Sequence, residues 1–234
     1  MKRRVLVGAA VALVVVVVLA VGGYYLMNSR TFQLAGRIVD RVDTDAKVVA
    51  LTLDDGPTAN APEVLKVLAE ADVPATFYLN GRDLAAHPEF GAAIAMTGHE
   101  IGNHTYSHRR MVFVSPGTVA DEVGRTDDEI RKTGYQGPIT FRPPYGKKLW
   151  TLPKYLSDRN RTTVMWDVEP DSAGAQSPEQ IVEHTVAEVR PGSIILLHVM
   201  YGNRANSLAA IPGIVAALRS DGYRFVTVSE LLGQ

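Results

Sequence analysis

The sequence predicts an α/β protein, a distorted (β/α) barrel of about seven parallel strands preceded by one N-terminal transmembrane helix. Three observations carry that expectation. Short apolar runs alternate with longer amphipathic stretches from Lys47 onward, polar residues gather where the apolar runs stop, and a long uncharged run follows a basic N-terminus. Parallel neighbours cannot be joined by a tight turn and need crossover segments, so strand-helix alternation of this kind argues for a parallel sheet; about seven such units suggest closure into a barrel, with an open sheet as the alternative.

The N-terminal run comes first. Lys2, Arg3 and Arg4 are followed by 23 residues, 5–27, without a charge. As a helix these would span roughly 34 Å, against a hydrocarbon core of about 30 Å. Signal-peptide cores are shorter, about 7–15 apolar residues, so an uncleaved anchor is favoured. Ala20-Val21-Gly22 supplies small residues in a processing-like order, and secretion after cleavage is the alternative. The basic flank holds the N-terminus in the cytoplasm, which puts the remainder outside, at the cell membrane. The domain plan expected is 1–27 as cytoplasmic flank and anchor, 28–45 as a polar stalk or an entry segment, and 46–234 as the catalytic domain.

Strands are expected near 48–53, 75–79, 100–103, 139–142, 163–168, 193–199 and 224–228. Helices fill the intervals. Pro62 suits the first turn of one, where its missing N–H costs nothing. Ser115-Pro116 opens a second, which runs to about Thr133. Ser177-Pro178-Glu179-Gln180 has the order of a capping box. A helical pattern over 207–219 is interrupted by Pro212-Gly213, so a kink or a new start is expected there.

Composition excludes several chemistries. Setting aside Lys2, Arg3 and Arg4, 21 of the 24 basic residues face 25 acidic ones, a formal charge of −4 on the outer part. Nucleic acid, which needs clustered cations, is not expected as a partner. Cysteine is absent, so there is neither a disulfide nor a thiolate nucleophile nor a zinc-thiolate site. Any metal must be held by histidine and carboxylate.

Four polar clusters sit at predicted strand ends, the face where α/β active sites assemble. His104-Thr105-Tyr106-Ser107-His108 spaces two imidazoles by four residues; on one helical turn both rings would reach one ion, and a surface pair is the other reading. Asp54-Asp55-Gly56-Pro57 sets two carboxylates side by side, tolerable beside a cation, with a solvated turn as the alternative. Arg142-Pro143-Pro144-Tyr145-Gly146 is a loop of fixed shape with an arginine able to orient a carboxylate, and on its own it reads more readily as a rigid turn with a surface arginine. Leu196-Leu197-His198 ends an apolar run with a histidine at the mouth of a buried strand, with a satisfied core histidine as the alternative.

In this order the four clusters resemble the polysaccharide deacetylases of carbohydrate esterase family 4, the nodulation-type chitooligosaccharide deacetylase group, over residues 47–232. Thr52-Leu53-Asp54-Asp55-Gly56-Pro57 matches the family's first motif, with Leu53 where Phe is usual. The resemblance implies Asp55, His104 and His108 as ligands of a divalent metal, zinc first and cobalt or nickel next. It implies Asp54 as general base, His198 as general acid, Arg142 as the residue that holds Asp54, the Tyr145 N–H as an oxyanion donor and Leu196 as lining of the acetyl pocket. Pro57 and Asn103 would be scaffolding.

The chain departs from the family where an Asp-Trp pair is usual. It reads Trp166-Asp167-Val168-Glu169-Pro170-Asp171-Ser172. Asp171 is the best match for the partner of His198, with Asp167 and Glu169 next, and no Trp follows. His87, His99 and His184 are expected to stand outside the site. The function implied is removal of acetyl groups, N-acetyl of N-acetylglucosamine first, from an extracytoplasmic polysaccharide such as peptidoglycan or a chitin-like glycan of the cell wall. Two alternatives are deacylation or deformylation of a small-molecule or lipid-linked sugar amide, and a silent glycan-binding protein on the same fold. A binding module needs no base and acid together, and this chain carries both.

Overall fold

The structure is a computed structural model that describes residues 2–172, 174 and 176–233. Helix α1 (Lys2–Asn28) is followed by strands β1 (Ile38–Val39) and β2 (Val48–Asp54), helix α2 (Ala61–Glu70), strand β3 (Thr76–Leu79), helices α3 (Gly81–Ala86) and α4 (Pro88–Met96), and strand β4 (Glu100–Asn103). Helices α5 (Pro116–Lys132) and α6 (Thr151–Ser157), strand β5 (Thr163–Val164), helix α7 (Pro178–Glu188), strand β6 (Ile194–His198), helix α8 (Ala205–Ser220), strand β7 (Arg224–Val226) and helix α9 (Val228–Leu232) complete the chain.

Every strand pairing is parallel. β4, β3, β2 and β6 run side by side in that order, and β7 pairs with the start of β2. Phe141 bridges Asn103 on one side and Thr163 on the other, and Val168 bridges Ile195, which returns the path to β6 and closes the ring. The strand expected over 139–142 is therefore reduced to bridges at Phe141. Pro138 lies just before it and Pro143-Pro144 just after, and proline has no N–H to continue a ladder.

Residues 28–45 do not form a free stalk. Ile38–Val39 pairs in register with Thr163–Val164, Gln33 is buried, and Arg41 donates to the Pro191 carbonyl at 2.9 Å. The apolar pair Ile38-Val39 inside an otherwise polar stretch suits an edge position beside β5, too short to register as a strand by alternation alone.

Side-chain parity explains where chemistry can sit. Val49, Leu51 and Leu53 of β2, Phe77 and Leu79 of β3, Ile101 of β4, and Ile195 and Leu197 of β6 face outward into one core with Val64, Leu68, Ile94, Ile211 and Ile214 of the helices. The alternate residues face inward: Ala50, Tyr78, Ile194, Leu196 and Val226 join Trp166 in a separate interior cluster. Continued from Ala50 through Thr52 and from Leu196, the inward set reaches Asp54 and His198, which pair across β2 and β6. Gly102, also inward, leaves room for the Tyr78 ring, since a Cβ there would lie 2.4 Å from it.

The helix ends follow the capping signals. Ser115 accepts from the Thr118 N–H, and the Ser177–Gln180 capping box is complete. No new helix starts at Pro212: α8 begins at Ala205 and runs through it. Gly213 next to it lets α8 press onto α7, where a Cβ would lie 2.8 Å from Val182 Cγ2. α1 is long and apolar enough to cross a membrane, a test that a signal sequence also passes.

Candidate active site

Asp54 ends β2, and its carboxylate turns into the barrel mouth. Oδ1 accepts from Arg142 Nη1 at 2.7 Å, and the same nitrogen donates to Thr52 Oγ1 at 2.7 Å. Arg142 is wholly buried. Its Nε and Nη2 donate to the carbonyls of Val164 and Met165, and its guanidinium lies 4.1 Å from the Tyr78 ring centre. Four of the five guanidinium N–H groups are thereby bonded, to two carbonyls, a hydroxyl and one carboxylate, and the arrangement fixes the carboxylate in turn.

Asp55 diverges from its neighbour because the backbone turns left-handed there, at φ 78°. Its Oδ1 lies 3.3 Å from His108 Nε2 and 4.0 Å from His104 Nε2. One ligand atom from each of Asp55, His104 and His108 falls within 4.8 Å of the others. The two histidines do not share a helical turn as expected. They lie in an irregular segment after β4, with Thr105 at φ 69° and His108 at φ 57°, and that winding brings their ring centres to 5.0 Å.

The donor set fits a divalent ion. His104 Nδ1 is 2.8 Å from the Arg142 carbonyl, so it carries the proton and Nε2 keeps its lone pair toward Asp55. Burial depresses His104 to about 3, holding the ring neutral, which is the ligating form. Two imidazoles and one carboxylate, with no thiolate, suit a catalytic site that leaves coordination positions open.

His198, at the end of β6, has Nδ1 3.4 Å from Asp171 Oδ1, and its backbone N–H donates to Asp171 Oδ2 at 2.8 Å. Ser207 Oγ donates to the same oxygen at 2.9 Å. Burial opposes the charge on His198, but the bond to Asp171 and the nearby carboxylates of Asp54, Asp171 and Asp55 outweigh it and raise its pKa. Burial likewise opposes the Asp171 carboxylate, and its bonds to His198 and Ser207 outweigh that and lower its pKa. The other two carboxylates of the segment are engaged elsewhere. Asp167 accepts from Ser193 Oγ and the Ile194 N–H, and Glu169 accepts from Trp166 Nε1 at 2.7 Å and Arg30 at 2.6 Å.

Tyr145 sits at φ 58° with its ring 4.7 Å from that of His108. Leu196 lies one inward layer beneath His198, buried in the interior cluster, and so floors the site. Trp166 packs under the Pro143-Pro144-Tyr145-Gly146 loop, where a Cβ on Gly146 would lie 3.3 Å from it. His99, outside the site, is buried against Phe77 and depressed to about 4.

Sequence reasoning missed two contributors. Asn80 Nδ2 lies 3.4 Å from Asp55 Oδ1, and its inward parity after Tyr78 was a usable signal. Ser207 gave none, because it reaches Asp171 from a helix 36 residues away in sequence. Asn103, read as scaffolding, donates to Asp127 Oδ1 at 2.7 Å and accepts from the Thr105 N–H at 2.9 Å, which braces the histidine segment.

Residues 41–164 match the family model for polysaccharide deacetylase. The chain is 33% identical over 210 residues to a peptidoglycan-N-acetylglucosamine deacetylase of Bacillus cereus, covering 88% of this chain and 98% of that one. It is 32% identical over 198 residues to a chitooligosaccharide deacetylase of Bradyrhizobium sp., covering 78% of this chain and 90% of the relative. A crystal structure of a peptidoglycan N-acetylglucosamine deacetylase in complex with 4-naphthalen-1-yl-N-oxidanyl-benzamide superposes with a TM-score of 0.78 at 31% identity, over 82% of this chain and 91% of the other.

Proposed function

The chain belongs to the polysaccharide deacetylase family and is a hydrolase of acetylated polysaccharide; from that premise we propose that it removes the N-acetyl group of N-acetylglucosamine units in an extracytoplasmic glycan such as peptidoglycan. The observation that carries the reading is the meeting of three groups at one barrel mouth: the Asp55, His104, His108 donors, the Asp54–Arg142 pair and the His198–Asp171 pair. A glycan-binding module has no use for a fixed carboxylate and a protonatable histidine beside a metal-ligating triad.

Asp55, His104 and His108 would hold the ion, zinc by its donor types with cobalt or nickel as substitutes. When bound, it would polarise the acetyl carbonyl and make water a nucleophile near neutral pH. Asp54 acts as base: Arg142 occupies Oδ1 and leaves Oδ2 to take the proton of the attacking water. The Tyr145 N–H donates to the acyl oxygen as it gains negative charge. His198 delivers a proton to the leaving amine as the C–N bond breaks, and Asp171 favours its charged form beforehand. Leu196 and Trp166 keep the floor of the site apolar and dry. Trp166 lies beneath the loop, while Ser172, after Asp171, is exposed and donates to the Glu169 carbonyl at 3.2 Å.

The domain that carries this chemistry takes in β1 as well as the residues from 46 onward, and α1 holds it to the outer face of the cell membrane. Acetate release measured in parallel on peptidoglycan, chitooligosaccharides and acetylxylan tests the substrate. Release from the two N-acetylated glycans with little from acetylxylan is expected; preference for acetylxylan would overturn the amide reading. His104→Ala should lose both bound metal and acetate release.

A further inference from the structure

The last turn of α1 ends against the rim of the active site. The Met27 carbonyl accepts from the Lys148 N–H at 3.3 Å, Lys147 Nζ donates to Asn28 Oδ1, and Lys148 Nζ donates to the Ser29 carbonyl. Arg30, next in line, stacks 4.5 Å over the Trp166 ring and pairs with Glu169 at 2.6 Å. The loop that carries Tyr145 thus runs straight into the point where α1 leaves the membrane, and Tyr145 lies only three residues from Lys148. At most about 3.6 Å per residue, that is within roughly 11 Å.

Two large aromatic side chains stand exposed at the same place. Met111 bridges Lys148 in parallel, and two residues beyond each lie Phe113, 83% exposed, and Trp150, 53% exposed. Phe113 adopts φ 52°, a conformation rare for a bulky residue. Arg109 and Arg110 precede it and are exposed, giving a short segment with two cations and an outward aromatic. Tyr24 and Tyr25 are exposed on α1, three and two residues before Met27. Aromatic rings with flanking cations are the composition of a membrane-water interface, where the headgroup layer is about 5–8 Å deep on each side.

We propose that Phe113 and Trp150, flanked by Arg109 and Arg110, form a second membrane contact that seats the catalytic rim on the outer leaflet of the bilayer spanned by α1. This rests on the anchoring reading and goes beyond it, because a tether alone would leave the barrel free to turn. The consequence concerns substrate access: the mouth opens beside the lipid surface, toward glycan that is lipid-linked or newly polymerised, and away from distant wall material.

The full chain, reconstituted in vesicles of neutral and anionic phospholipid with a nitroxide on part of the headgroups, tests this. Flotation that survives an alkaline wash reports the anchor. Emission reports the contact, since the chain has two tryptophans and Trp166 is buried. The expected result is co-flotation with strong quenching that disappears in Trp150→Phe. Protein that floats with unquenched emission, or with quenching that persists in Trp150→Phe, overturns the second contact while the anchor stands. Protein left out of the floating fraction overturns the anchor and the contact with it. In activity, Phe113→Ser with Trp150→Ser should slow acetate release from a vesicle-tethered glycan by about tenfold and leave soluble chitooligosaccharide within about twofold, as lost effective concentration requires. An equal loss on the soluble substrate would make these rings a sugar platform and overturn the proposal.

Discussion

The His198–Asp171 pair is the clearest case in which a single contact sets reactivity. Burial of the imidazole disfavours its charge, yet the carboxylates around it raise its pKa, so it stays protonated to higher pH than a free histidine. Asp171→Asn removes the nearest of those charges and keeps the hydrogen-bonding shape. The alkaline limb of the pH-rate profile should therefore move to lower pH, with acetate release near neutral pH reduced by about 10²-fold. An unmoved limb would mean that His198 is not the acid. The same linkage fixes stability: the contribution of His198 is full below its unfolded pKa of about 6.5 and is lost as pH rises through the raised folded value. The contribution of Asp171 is present above its ordinary value of 3.8 and is lost as pH falls through the depressed one.

At the level of elements, barrel and helices depend on close approach as much as on apolar area. Gly213 lets α8 meet α7 at Val182, and Gly213→Val should destabilise the fold by about 1–3 kcal/mol in denaturant unfolding while acetate release by the folded fraction is unchanged. The strand-end motifs were legible in the sequence because parity is strict: an apolar run such as 194–197 must put His198 at one defined place. The capping residues Ser115 and Ser177 were legible for a similar local reason. Features set by tertiary context were not. β1 is two residues long and owes its conformation to β5, Phe141 owes its bridges to strands on both sides, and α8 continues through Pro212 because its packing outweighs the lost hydrogen bond. The histidine segment was readable as a ligand pair but not in shape. Positive φ at Asp55, Thr105, His108 and Tyr145 is imposed by the surrounding chain, and strain of about 1–3 kcal/mol per residue persists only where packing enforces it.

For the molecule as a whole, the two ends of the barrel have separate tasks. At the strand starts, Glu100 is buried and accepts from the Ser229 N–H at 2.8 Å and Ser229 Oγ at 2.9 Å, which ties α9 across that opening. At the strand ends lie the proposed ligands, base and acid. The hydrophobic clusters hold none of the proposed ligands, so stripping metal with a chelator should abolish acetate release and leave the far-ultraviolet circular dichroism unchanged. Zinc, cobalt or nickel should restore the activity. The central claim is that Asp54 is the base of a single deacetylase centre, and Asp54→Asn tests it most directly. Asparagine keeps an oxygen for Arg142 and spares the cost of about 3–5 kcal/mol for an unpaired buried charge, so folding and metal content should match the parent. With the metal content equal, acetate release from peptidoglycan should fall by about 10²–10⁴-fold. Release within about tenfold of the parent would contradict the account.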